Sequence, residues 1–183
     1  MALFAVPLNL AWCGAKEDAV EQKHIKPDWF GALFYKLMVE NAEVHVAERY
    51  RDRLRQINVA ERAFAVELIA LRWIALDLGT TLYWGDGPER VAIIDPFLDR
   101  VHQNCDPELE SFLAQRICQY AVVLNAAGPH PVAPMGAALA RFLFEREVRS
   151  DGDIQVIQRI GATEFMVALE GVQNFFDTVT VDW

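Results

Sequence analysis

Carboxylates and histidines at helical spacing are the residues of this chain best suited to chemistry. Asn41, His45 and Glu48 continue the apolar stripe begun by Phe30, Phe34 and Leu37, and Glu67 falls among Phe64, Leu71 and Ile74. A carboxylate or imidazole turned toward a core must find a partner or change its protonation. His45, Glu48 and Glu67 are therefore candidate metal ligands. Helical bundles that hold two metals use inward carboxylates and Glu-x-x-His pairs, because residues three apart project toward one site. Glu21 with His24 and Asp99 with His102 have that spacing, but the first pair lies in a polar stretch and the second starts with Asp. The competing reading makes His45 and Glu67 satisfied polar groups of the core.

His102, Cys105, Cys118 and His130 are the right ligand types for structural zinc, but their spacings match no zinc pattern. Cys118 adjoins the apolar stripe of its helix, where a reduced thiol behaves as a small hydrophobe. Nothing marks a thiol as an activated nucleophile. No nucleotide-binding loop or nucleophile elbow stands out, so the sequence names no cofactor and no catalytic set.

The C-terminal segment carries a better-formed signal. Ile154, Ile157, Gly161, Phe165, Ala168, Val172, Phe175 and Val179 advance by alternating threes and fours, the rhythm of a helix-packing seam. Ile157, Gly161, Phe165, Ala168, Val172 and Phe175 are the candidate interface for a second copy or a partner, with packing against Leu139, Phe142 and Leu143 of the same chain as the alternative. Gly161, Ala168 and Gly171 would let a neighbour come close.

These residues must be positioned by helices. The chain has 183 residues, 53% of them hydrophobic and 23% charged, enough for one domain with a large core. Punctuation predicts helices over 16–25, 29–56 with a bend near 43–46, and 59–78, the last closed by Gly79 and apolar at almost every angle, as a central helix is. Asn58 with Glu61 resembles a reciprocal cap. Residues 80–94 read as a loop, or as a small hairpin. Asp95-Pro96 and Asp106-Pro107 each predict a helix start, since proline at the first helical position loses nothing by lacking an amide hydrogen. Two more helices are expected over 135–148 and 154–178, separated by a turn at 150–152. The proline-rich stretch 128–134 is the expected linker, dividing a main bundle 1–127 from a C-terminal pair 135–183 if the chain divides at all. The expectation is a single all-α domain, an irregular bundle of about six to eight helices.

The formal net charge of −9 argues against nucleic-acid binding, which relies on clustered cations. Arg49, Arg51, Arg53 and Arg55 alternate with Glu48 and Asp52 and read as a solvated helix end. Three cysteines make no even disulfide framework, pointing to a reducing cytoplasmic setting. The apolar stretch 2–14 reads as an arm docked on the core, and no stretch reaches the roughly 18 apolar residues that span a membrane. A protein-binding or regulatory module with a basic partner, or one that self-associates, fits these features best. The alternatives are a metal-dependent helical enzyme and a pocket for a small apolar ligand.

Overall fold

The computed structural model describes residues 23–145 and 147–182 and is an all-α helical bundle. Pro27 occupies the first turn of α1 (Pro27–Tyr35), with Lys26 extended before it. A π-helical turn over Lys36–Glu40 leads into α2 (Asn41–Arg49), and a break at Tyr50 precedes α3 (Arg51–Gln56). The chain then forms α4 (Glu61–Trp84), α5 (Pro88–Asn104), α6 (Pro107–Ala127), α7 (Val132–Leu143) and α8 (Asp151–Thr178). Two short strands, β1 (Lys23–Ile25) and β2 (Val179–Val181), pair in parallel with Lys23 opposite Val179.

Several boundaries differ from the sequence expectation, each for a local reason. Residues 23–25 are a strand, while 16–22 and the apolar arm 2–14 lie outside the described residues. The 29–56 segment is interrupted at Tyr50 and also, earlier than the bend expected at 43–46, by the π turn. The extra residue in that turn rotates the apolar face, keeping Phe34, Met38 and Ala42 all buried. Asn58 does not cap α4: it takes a left-handed φ of 50°, Ala60 is the N-cap, and Glu61 pairs with Arg51 at 3.3 Å.

No hairpin forms over 80–94, and the loop is confined to residues 85–87, the rest being helical. The Thr80 hydroxyl donates to the Leu76 and Asp77 carbonyls and that of Thr81 to Asp77, so these β-prone residues are satisfied inside a helix. Gly79 does not end α4 but sits buried within it, because a Cβ there would lie 2.7 Å from the Val172 side chain. Gly85, at φ 66°, ends the helix. Pro96 likewise starts nothing. It lies inside α5 against α1, where a Cβ on Gly31 would meet the Pro96 backbone at 2.5 Å. Asp106 does cap α6, accepting from the Leu109 amide at 2.9 Å, and Ser150 caps α8, so residues 151 and 152 are already helical. Of the proline-rich stretch only 128–131 is non-helical, Pro134 being tolerated in the first turn of α7.

Two apolar cores result. The larger joins α4, α6, α7 and α8 around residues such as Phe64, Leu68, Leu139 and Phe165, and therefore continues across the 128–134 stretch. The smaller packs α1 against α5 and the far ends of α4 and α8 through Phe30, Phe34, Phe97, Leu76 and Phe176. As expected of a central helix, α4 buries residues on all sides.

Candidate functional site

The polar residues of the larger core form two separate clusters. In the first, Glu164 of α8 is 1% exposed and accepts hydrogen bonds from Arg72 of α4 at 2.7 Å, Arg49 of α2 at 2.9 Å, and the Tyr50 hydroxyl. Burial alone would raise this carboxyl, but Arg72 and the hydrogen bonds from Tyr50 and Arg72 outweigh it and hold Glu164 below the usual carboxylate range. Burial and the Glu164 charge push the Tyr50 phenol up, so it stays a neutral donor. His45, whose Nε2 lies 3.4 Å from Arg49, is pushed down by its partial burial and by Arg72. The cluster thus joins one ionised carboxylate to two guanidiniums, a neutral phenol and a neutral-leaning imidazole, and ties α2, α4 and α8 together.

In the second cluster, Glu67 of α4 stands 2.8 Å from Arg116 of α6 and accepts from the Tyr120 hydroxyl at 3.3 Å. With one guanidinium instead of two, burial wins: it pushes the Glu67 carboxyl up to about 7 against the pull of Arg116 and the hydrogen bonds. The Arg116 guanidinium is also held by Gln119 at 2.6 Å and lies 4.5 Å from the centre of the Phe142 ring.

The three candidate metal ligands are therefore not brought together. His45 turns toward Glu164 and Arg49, Glu67 toward Arg116 and Tyr120, and Glu48 is exposed. Among the described residues no group of three or more His, Cys, Asp and Glu side chains could hold a metal ion. Of the candidate zinc ligands, His102 pairs with Glu110 at 3.0 Å, Cys105 is pushed up by burial beside Tyr35, and Cys118 is exposed. Sequence reasoning missed Arg72, Arg116 and Glu164. Each interrupts an apolar helical stripe, as Glu67 does, and that is the signal by which they could have been found.

The α8 seam is occupied from within the chain. Ile157, Phe165 and Val172 are buried, Gly161 sits against Leu139 and Gly136 of α7, and Ala168 packs on the larger core. Phe175 packs on the smaller core, with Trp29 stacked on it at 6.2 Å. These six positions face α4, α7 and α1 instead of an outer surface, because α7 approaches closely enough to use the small residues itself.

A solvent-open feature lies elsewhere. Since α5 packs chiefly on α1 while α6 packs on α4 and α7, a cleft of about 420 Å³ remains between α5 and α6. Trp73 of α4 contributes to its lining, with Leu98 and Val101 from α5 and Leu113, Ala114 and Ile117 from α6, and with Asp99, His102 and Glu110 as its polar members. Trp73 is fixed edge-on against Phe97 at 4.8 Å. Among the described residues no helix is long and apolar enough to cross a membrane. No known protein family matches the chain, and neither a curated protein nor a solved structure shows significant similarity to it.

Proposed function

We propose that this chain is a protein-binding module rather than a catalyst, and that its partner is basic. The observation that carries the reading is the surface of α5 and α6, which exposes Val91, Leu98, Phe112 and Val122 on an acidic chain. Exposed apolar groups on a chain of net negative charge are the composition of a docking face for a basic partner, since opposite net charges speed encounter. The buried titratable groups fit a structural role, since each is engaged by a partner within the bundle. With the α8 seam spent on α7 and α4, this reading puts partner contact on α5 and α6.

Affinity purification of the tagged full-length chain from its native cells, followed by reconstitution with the recovered protein, tests the proposal. The expected result is a stoichiometric complex with a basic protein, measurable by calorimetry with the two purified components and weakening as salt rises. A chain that stays monomeric and forms no complex on reconstitution refutes it.

A further inference from the structure

Resting on this partner-binding reading, we infer that the α5–α6 cleft is a docking groove for a basic amphipathic helix of the partner. The buried part of the lining is apolar, with Val101 at 3% and Leu113 at 1% exposure, and it asks for apolar side chains. The rim stays open: Leu98 is 38% exposed, and Asp99, His102 and Ala114 are exposed. A small molecule seated there would keep much of its surface in water, whereas ligand pockets enclose most of theirs. A helix laid between two helices covers such a groove, setting a ridge of residues between the walls and keeping its polar face in solvent.

Charge decides which helix. Asp99 of α5 and Glu110 of α6 bring carboxylates to the lining of this cleft on a chain of net charge −9, while Arg90 and Arg116 are turned away to Asp77 and Glu67. Arg100 and His102 are the remaining basic groups of the pair, and His102 is engaged by Glu110 at 3.0 Å. A lysine or arginine flanking the apolar ridge of the incoming helix would face Asp99 and compete with His102 for Glu110.

The test uses the full chain and a synthetic helical peptide of about 15 residues, with leucines at i, i+3, i+4 and i+7 and lysines on the other face. Binding is read from the NMR signal of the Trp73 indole, assigned with Trp73→Phe. Ala114→Trp blocks the cleft without changing charge, and because Ala114 is exposed the fold should be kept, as circular dichroism would check. A double variant, Asp99→Lys with Glu110→Lys, reverses the rim. The expected result is saturable single-site binding that each variant weakens about tenfold or more.

Equal binding by Ala114→Trp, which would mark a mere attraction of cations to an acidic protein, overturns the inference. So does equal binding of a peptide with glutamates in place of lysines, or saturation of the Trp73 signal by a small apolar probe alone. Absence of peptide binding beside an intact complex with the reconstituted partner removes the groove and leaves partner binding standing. Absence of both removes both.

Discussion

Glu164 and Glu67 sit in similarly dry surroundings, yet the number of guanidiniums beside each sends them in opposite directions. Glu164→Gln would leave Arg72 buried without its counter-charge. Urea denaturation should show a loss of about 3 kcal/mol, as expected for breaking a buried pair from one side. Glu67 predicts a pH dependence. Its carboxyl, raised to about 7 from 4.5, holds its proton in the folded state while the unfolded chain has released it. Its contribution is therefore fully present below 4.5 and is lost as pH rises through about 7. Glu164, held low, acts in the opposite sense: its contribution is present above its ordinary value and fades as pH falls through its folded value. Melting temperatures across that range should fall more steeply for the parent than for Glu67→Gln, whereas parallel profiles would mean that Glu67 is ionised throughout. The burial of Glu67 was legible because it interrupts an apolar helical stripe. Its partner was not, since Glu67 and Tyr120 are 53 positions apart in sequence and only the packing of α6 on α4 joins them.

Helix starts are legible in the sequence where one side chain performs the capping, as at Asp106, and illegible where tertiary contact overrides the local signal. Pro96 lies within α5 because Gly31 gives it room, and Gly79 lies within α4 because Val172 needs to come close, neither of which can be seen in the flanking residues. The packing seam of α8 was visible in its spacing, but which helix fills it was not. Gly136 measures how tightly α7 and α8 meet, since a Cβ there would lie 2.8 Å from the Ala162 amide nitrogen and 2.9 Å from its Cβ. Gly136→Ala should cost about 1–3 kcal/mol, because backbone must move to admit the methyl group. That loss would override the gain of about 1 kcal/mol that alanine brings to a helix interior. Gly152 is the internal control, its nearest neighbour to a built Cβ being the Ser150 hydroxyl at 3.7 Å. Gly152→Ala should leave stability unchanged or raise it, and similar losses at both positions would show that the close approach of α7 and α8 is not what Gly136 serves.

At the scale of the molecule, two cores could mean two independently melting parts, and the long helices argue against that. Both α4, from Glu61 to Trp84, and α8, from Asp151 to Thr178, run through both cores, so neither core can open without unravelling part of a helix that the other holds. Phe64 is wholly buried in the larger core and Phe97 in the smaller. Truncating either to alanine should cost about 3–5 kcal/mol through lost burial and the cavity left behind. If the helices couple the cores, Phe64→Ala and Phe97→Ala will each lower one cooperative transition, with circular dichroism and tryptophan fluorescence remaining superimposable. If the α1–α5 layer is only appended, Phe97→Ala will split the transition. The fluorescence of Trp73, which packs on Phe97, will then change before most of the helical signal is lost. The outcome also bears on the α5–α6 cleft, whose two walls belong to different cores: Val101 to the smaller, Leu113 to the larger. A single transition means that α4 and α8 hold those walls at a fixed spacing, so that a partner helix meets a formed groove and need not spend binding energy assembling one.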